Sequence, residues 1–160
     1  MDIMWKHPAV PRHVVQVVPV DQYDQVLLMY RGPTVRSAPN VWSFPSGLHD
    51  IGETAEECAA RELEEECSLE VLNAAFIGMY ENMPGDGYHW VISLFAARVD
   101  DVSRAINREP NKHPEFKCVL VGELMLDGFW NKHPFHSSAD KYFREHKGHV
   151  QNVLYTCVKP

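Results

Sequence analysis

The stretch Gly47–Leu69, GLHDIGETAEECAARELEEECSL, decides how the rest of the chain is interpreted. Read as an α-helix, it places Glu62, Glu65 and Glu66 at positions i, i+3 and i+4, so their side chains share one face of the helix. Three like charges this close repel one another unless a cation neutralises them. Mg²⁺, which prefers hard oxygen ligands and keeps waters for substrate phosphates, is the expected cation.

The start and the opposite face of this helix are specified as well. Thr54 followed by Glu57 matches a capping box, in which each side chain accepts a hydrogen bond from a backbone amide at the helix start. An apolar stripe formed by Ala59, Leu63 and Cys67, spaced four residues apart, predicts a face that packs on a sheet. The acidic face and the core face are therefore separate.

A glycine-bracketed loop leads into the helix. Gly47 and Gly52 enclose it, and glycine permits the close backbone approach by which a carbonyl or amide reaches a metal or phosphate. The simpler alternative, an acidic helix face exposed to solvent, accounts neither for this loop nor for Arg61 beside the carboxylates.

These residues resemble the box of the Nudix family, Gx5Ex7REUxEExGU, where U is aliphatic. The matching positions are Gly47, Glu53, Arg61, Glu62, Leu63, Glu65, Glu66 and Leu69. Ser68 stands where the box usually has glycine, so we expect the end of the helix to differ, with no ligand lost. The lead-in Asn40–Gly47, NVWSFPSG, resembles the family's entry sequence, with Ser46 replacing its first glycine.

The resemblance implies a role for each acidic residue of the box. Glu62 and Glu66 would be the principal metal ligands, and Glu65 would be a further ligand or the group that orients water. The carbonyl of Gly47 would complete the ligand set.

Glu53 and Arg61 receive a supporting role from the resemblance. They would pair with each other and hold the loop against the helix, which fixes the geometry of the ligands.

One further carboxylate is expected outside the box. In the family, an acidic residue just before a late strand often reaches the metal site, and Glu115 is the candidate here. Glu109 lies in the same loop and is the alternative. The proton of the attacking water would pass to one of the box carboxylates or to Glu115.

Arginine and aromatic residues are the candidates for holding the substrate. Arg31 resembles a phosphate-contacting arginine of the family, since a guanidinium suits phosphate by its two-pronged geometry, and Arg36 is a second possibility. Among the aromatic residues near the expected pocket, we assign Trp42 and Tyr88 to stacking on a nucleobase. Core packing is the better interpretation of two others, Phe44 and Trp90.

Hydrophobic patterning predicts an α/β protein. The predicted strands are His13–Val20, Val26–Arg31, Val71–Tyr80, Tyr88–Val99, Glu115–Val121 and Val150–Val158. A second helix is predicted over Ser138–His146, which opens with serine. Together with the resemblance, this order implies an α/β/α sandwich, with a mixed β-sheet between helices, formed by residues 1–160 as a single Nudix domain.

Composition limits the partners. The net charge of −7 and the lack of a block of basic residues argue against binding to long nucleic acids. No stretch is apolar enough to span a membrane, and the first eleven residues lack the features of a secretory leader. The four cysteines form no CxxC pair and are interpreted as reduced core thiols. We therefore expect a cytoplasmic protein, with a homodimer as a possibility.

The nine histidines form no zinc motif. None lies in an HExxH sequence, and His133 and His136 occur in a proline-containing loop without a nearby ligand pattern. We interpret the histidines as surface or packing residues.

The expected activity is hydrolysis of a phosphoanhydride that depends on Mg²⁺ or Mn²⁺. The first candidate substrate, from similarity to MutT-type enzymes, is a (deoxy)nucleoside triphosphate, cleaved to the monophosphate and pyrophosphate. The alternatives are ADP-ribose, suggested by Pro84 after the box, and nucleotide sugars such as GDP-mannose. A noncatalytic module that binds a nucleotide as a regulator is the alternative from another class, although such modules would be expected to lose box carboxylates.

Overall fold

Strand and helix bounds come from a computed structural model that describes residues 10–85, 87–135 and 137–158. The strands are β1 Arg12–Val20, β2 Gln25–Arg31, β3 Val41–Ser43, β4 Ser46–Leu48, β5 Asn73–Asn82, β6 Trp90–Arg98 and β7 Glu115–Leu120. The helices are α1 Ala55–Cys67, α2 Val121–Leu124, α3 Asp127–Lys132, α4 Ser137–Glu145 and α5 Lys147–Val158, with a 3₁₀ turn at Val102–Arg104.

The seven strands form one mixed sheet. Its main path runs β3-β2-β1-β6-β5, while β4 pairs with β1 and β7 pairs with β2. The β1–β6 pair is parallel and the other pairs are antiparallel. Strand β1 therefore lies at the centre, with short β4 laid along its first half.

Alternating side chains of β1 divide the core into two layers. Val15 and Val17 pack with α1, whereas Val18 and Val20 pack on the opposite face with α4 and α5. The same alternation continues along β2, because successive side chains of a strand point to opposite faces. The predicted α/β class, with a mixed sheet between helices, is thus confirmed.

Helix α1 begins as predicted. Thr54 is its cap, its hydroxyl accepts from the Glu57 amide, and the Glu57 carboxylate accepts from the Thr54 amide. Its apolar stripe, Ala59, Leu63 and Cys67, is fully buried.

The expected difference at the end of α1 is absent. Ser68 adopts a left-handed conformation with φ of 52°, the geometry for which glycine is usually selected. The guanidinium Nε of Arg108 donates a hydrogen bond to the Ser68 hydroxyl, which stabilises serine at this position. The helix therefore terminates as it would with glycine.

The prediction of a closing strand at Val150–Val158 is wrong. These residues belong to α5, in which Val150, Leu154 and Cys157 are buried at helical spacing against the sheet. Their β-branched composition favours a strand, but the packing of one helical face outweighs this propensity.

The other predicted elements are present, with ends shifted by one or two residues. Strands β3 and β4 and helices α2 and α3 were not predicted, because each is too short to show a period. Cys58, Cys67 and Cys157 are buried free thiols, as expected, whereas Cys118 is exposed. Among the described helices, none has the length and apolarity needed to cross a membrane.

Candidate functional site

The three box carboxylates on α1 differ in their exposure. The side chains of Glu62 and Glu66 are each 11% exposed, whereas that of Glu65 is 60% exposed. The predicted acidic face thus consists of two nearly buried carboxylates and a third at its rim.

Strand β4 covers the two buried carboxylates. It pairs with β1 at Val15–Gly47 and Gln16–Ser46, which holds it in the sheet beside α1. The Ser46 amide donates to Oε2 of Glu66 over 3.1 Å. Gly47 lies so close to Glu62 that an added β-carbon would be 1.9 Å from the carboxylate. The backbone of β4 and the acidic face are therefore in direct contact.

Arg61 pairs with Glu53, as predicted. Its Nε and Nη2 donate to the two Glu53 oxygens over 3.1 and 2.7 Å, and Nη2 also donates to the Leu48 carbonyl over 3.1 Å. The Arg61 hydrogen bond lowers the pKa of Glu53 to about 2. A further contact joins Arg61 Nη1 to Oε1 of Glu62 over 2.6 Å. Arg61 thus connects the loop before α1 to the acidic face.

Glu66 is in an unfavourable place for a lone anion. Burial raises its pKa to about 8, the charges of Glu62 and Glu109 act in the same direction, and the Ser46 amide opposes them. Burial also raises the pKa of Glu62, against the effect of Arg61. Arg61 already serves Glu62 as a counter-ion, whereas the Glu66 carboxylate requires one to remain ionised.

Glu109, rather than Glu115, lies beside Glu66. Ligand atoms of Glu66, Glu109 and His113 are all within 4.8 Å of one another. Glu115 is exposed at the first position of β7, paired with Tyr30, and is outside this group. Of the two acidic residues considered for this loop, the geometry therefore favours Glu109.

His113 is a site residue that the sequence interpretation missed. It is 4% exposed, and its Nε2 lies 3.9 Å from Oε1 of Glu66. Burial and then the charge of Arg31 lower its pKa, which favours the neutral imidazole. The only signal in the sequence is the spacing of four residues from Glu109. His7 and His136, also interpreted as surface or packing residues, lie outside the described residues.

Arg31 lies on the wall of a cavity beside the acidic face. Its Nε donates to the carbonyls of Ser37 and Ala38, each over 3.1 Å, and its Nη2 to the Ser37 carbonyl over 2.5 Å. Burial lowers its pKa, and the nearby charge of Glu66 opposes this effect. The guanidinium is thus held in place next to the carboxylates.

The cavity has a volume of about 240 Å³. Strands of the sheet and the loop before β3 form its wall: Val14, Gln16, Arg31, Ser37, Ala38, Ser43, Ser46, Gly47, Leu48, Tyr80, Asn82, Trp90 and Ile92. Two wall residues, Ser46 and Gly47, are also the residues in contact with Glu66 and Glu62. The cavity therefore adjoins the acidic face.

The aromatic assignments need correction. Trp42, expected in the pocket, is 8% exposed and packs in the core cluster that includes Phe135, with its ring against that of Tyr30. Trp90, expected in the core, lines the cavity. Tyr88 is absent from the cavity wall and lies beside Trp90, with Arg12 over both rings. Phe44 is fully buried, as expected.

The comparison with known proteins places this architecture in one family. The sequence pattern of the NUDIX domain matches residues 10–145. NAD-capped RNA hydrolase NudC of Pseudomonas aeruginosa (strain LESB58) is 41% identical over 68 residues, 42% of this chain and 23% of that protein. NudC of Pseudomonas entomophila (strain L48) is 40% identical over 62 residues, 39% of this chain and 21% of that protein. The match thus spans less than a quarter of the length of these relatives.

Solved structures show the same fold. The MutT protein of Methanosarcina mazei Go1 is similar with a TM-score of 0.74 and 15% identity, over 90% of this chain and 98% of that chain. A MutT NUDIX hydrolase of Burkholderia pseudomallei is similar with a TM-score of 0.61 and 23% identity, over 71% of this chain and 85% of that chain. With the family pattern matched over most of its length, the chain belongs to the Nudix hydrolase family.

Proposed function

We propose that this protein hydrolyses a phosphoanhydride bond of a nucleotide in a reaction that requires Mg²⁺ or Mn²⁺. The observation that carries the proposal is the shared strand β4. Ser46 and Gly47 form part of the cavity wall and also contact the buried carboxylates Glu66 and Glu62. A nucleotide in the cavity would therefore have its phosphates next to the acidic face.

The residues present fit a divalent cation. Glu62 and Glu66 are nearly buried carboxylates, and the missing side chain at Gly47 leaves room for one of them. Glu62, Glu65, Glu66 and the Gly47 carbonyl would hold the cation, with Glu109 as a further ligand. Bound there, a divalent cation neutralises phosphate charge and lowers the pKa of a water molecule.

Side chains of the protein would accept the proton, position the loop and stabilise the developing charge. Glu65, whose side chain is the most exposed of the three on α1, has access to water and is the first candidate to accept the proton of the nucleophile at a carboxylate oxygen. The ion pair of Arg61 with Glu53 fixes the position of the loop relative to the helix. Arg31, held by two carbonyls, directs its guanidinium at the phosphate chain and stabilises the charge that develops there.

A nucleoside triphosphate is the first candidate substrate. The cavity volume of about 240 Å³ is below the roughly 300–1,000 Å³ of sites that enclose a whole drug-sized ligand. It suits the nucleoside end of one nucleotide better than two nucleosides together. Trp90 and Tyr80 on its wall offer aromatic surface to a base. The expected products are the monophosphate and pyrophosphate.

A dinucleotide of the NAD type is the second candidate. Two relatives named NAD-capped RNA hydrolase share about 40% identity with part of this chain. In such a substrate the second nucleoside would extend from the cavity into solvent. ADP-ribose and nucleotide sugars remain further alternatives with the same diphosphate. A noncatalytic regulatory module is disfavoured because all box carboxylates are retained.

A panel assay distinguishes these substrates. The protein is incubated with Mg²⁺ and nucleoside triphosphates, NAD, ADP-ribose, GDP-mannose or dinucleoside polyphosphates, and the products are separated by chromatography. Pyrophosphate released from triphosphates selects the first candidate, and two monophosphates released from NAD select the second. The Glu66→Gln variant should lose turnover by orders of magnitude, whereas Glu64→Gln, on an exposed side of the same helix, should retain it. Absence of turnover with every substrate would contradict the proposal.

The cytoplasmic location and the homodimer remain predictions. A reducing cytoplasm agrees with four free cysteines and a nucleotide substrate. A homodimer is testable by light scattering of the purified protein.

A further inference from the structure

The imidazole of His113 is buried, and its Nε2 faces the Glu66 carboxylate. Its Nδ1 is inaccessible to solvent and meets no strict hydrogen-bond geometry within the described part of the chain, but the Tyr30 backbone interacts with the ring and raises its pKa against the effect of burial. Its Nε2 lies 3.9 Å from Oε1 of Glu66, which is beyond hydrogen-bonding distance. Nε2 is therefore the ring nitrogen available to a further ligand, and a backbone partner on the rest of the ring is the usual arrangement for a histidine that binds a metal.

A turn brings His113 and Glu109 to the same side of their loop. The amide of His113 donates to the carbonyl of Glu109 over 2.9 Å, so the two residues are related as positions i and i+4 of a helical turn. The Gly32 amide fastens this loop to the end of β2 through the Lys112 carbonyl, over 2.8 Å. The Asn107 side chain donates to the His113 carbonyl over 2.5 Å. These hydrogen bonds fix the backbone of the loop on which the His113 imidazole is carried.

The group formed with Glu66 has the dimensions of a metal site. Ligand atoms of Glu66, Glu109 and His113 lie within 4.8 Å of one another. Around a cation with bonds of about 2.1 Å, opposite ligands are about 4.2 Å apart, so closure needs shifts of less than about 1 Å. Side-chain rotation alone supplies shifts of this size.

We propose that His113 is a nitrogen ligand of a divalent cation that Glu66 and Glu109 also bind, and that this ligand makes the site prefer a first-row transition metal such as Mn²⁺ over Mg²⁺. Imidazole nitrogen suits transition metals, whereas Mg²⁺ favours oxygen ligands alone. The inference deepens the proposed function, because it concerns the cation at the same site. It can be tested by measuring cation binding alone, without any measurement of turnover.

Pulsed electron paramagnetic resonance on the full-length protein loaded with Mn²⁺ tests the nitrogen ligand directly. The wild type should show modulation from a coordinated ¹⁴N nucleus. In protein labelled with ¹⁵N-histidine, the modulation should change to that of ¹⁵N. This arm needs no substitution and is independent of any effect on folding. Modulation from water protons alone, with no nitrogen coupling, would overturn the proposal.

Substitution then identifies the histidine. His113→Ala should remove the nitrogen modulation and weaken Mn²⁺ binding by at least about tenfold, while Mg²⁺ binding changes by less than about threefold. The control is His146→Ala, an exposed histidine between α4 and α5, which should retain both. Unchanged nitrogen modulation in His113→Ala, or an equal loss of Mg²⁺ and Mn²⁺ affinity, would overturn the assignment.

The failure of this inference differs from failure of the proposed function. Turnover on the substrate panel with only oxygen coordination of Mn²⁺ would remove His113 from the site and leave the hydrolase intact. Nitrogen coordination of Mn²⁺ without turnover on any substrate would support His113 as a ligand and contradict the proposed hydrolase activity.

Discussion

The carboxylate of Glu62 occupies the space that a side chain at residue 47 would need. A β-carbon on Gly47 would lie 1.9 Å from Cδ and Oε1 of Glu62. The requirement for glycine here is therefore steric and concerns one carboxylate of the acidic face. It differs from that at Gly52, where a positive φ of 96° is the constraint and no atom is near.

Gly47→Ala should consequently displace Glu62 and reduce turnover by at least about 100-fold, since a misplaced ligand costs that much in a preorganised site. Overpacking should also cost about 1–3 kcal/mol of stability. Steady-state kinetics and urea unfolding measure the two effects. Gly128→Ala is the control, because a β-carbon there meets open space in α3. Equal activity of the two variants would contradict the steric account.

Glu109→Gln and Glu115→Gln separate the two carboxylates that the sequence left open. Glu109 lies within 4.8 Å of the ligand atoms of Glu66 and His113, whereas Glu115 is exposed at the start of β7. We expect Glu109→Gln to weaken Mn²⁺ binding by about 10–100-fold and Glu115→Gln to change it by less than about twofold. Calorimetric titration with Mn²⁺ measures both. The reverse order would return the role to Glu115.

The predictability of this site depends on how local each feature is. The acidic face of α1 follows from short spacings within one helix, and the pairing of Glu53 with Arg61, which the structure shows, is implied by the resemblance to the Nudix box. Glu109 and His113 share a helical turn inside a loop that has no periodic pattern. Nothing in the sequence relates that turn to Glu66, because the relation depends on how the loop is fastened to β2.

The environments of the aromatic residues are a second feature that the sequence does not determine. Trp42 is the middle residue of β3 and Trp90 is the first residue of β6, and the surroundings of each depend on how these strands pair with β2 and β1. A shift of one residue moves a side chain to the other face of a sheet. The exchange of their expected roles, and the helix at residues 147–158, are both decided by tertiary packing.

Trp90→Ala and Trp42→Ala should therefore have different consequences. Trp90 lines the cavity, and its loss should raise KM for the nucleotide by about tenfold through lost stacking while the melting temperature changes little. Trp42 is 8% exposed in the core, and its loss should cost about 3–5 kcal/mol of stability. Kinetics and chemical unfolding of both variants check this contrast. A larger KM effect from Trp42→Ala, in a variant that remains folded, would support the earlier assignment.

Arg61→Lys should reduce turnover although the positive charge is kept. Arg61 bonds both Glu53 oxygens through Nε and Nη2 and reaches Leu48 and Glu62 as well, and a lysine ammonium lacks this fork. We expect a loss of about 10–100-fold in kcat with the overall fold retained in circular dichroism spectra. Lys substitution at Arg144, a surface residue of α4 paired with Asp140, provides the control. Comparable activity of the Arg61→Lys variant and the control would show that charge alone suffices.

Glu66→Gln should alter how stability depends on pH in protein kept free of metal with EDTA. The pKa of Glu66 is about 8 in the folded state, above the value of about 4.3 in an unfolded chain, so the folded protein retains the proton longer. Stability of the wild type should fall as pH rises from about 4.3 to about 8, by a few kcal/mol in total, and the Glu66 contribution should then level off. Glutamine cannot ionise, so Glu66→Gln should lack this part of the decline and become the more stable protein at pH 9. Urea unfolding at pH 5, 7 and 9 gives the free energies, with the exposed Glu64→Gln as the control. Parallel pH profiles for wild type and Glu66→Gln would show that the carboxylate ionises at its ordinary pH without a cation, which would remove the electrostatic reason for a metal at this position.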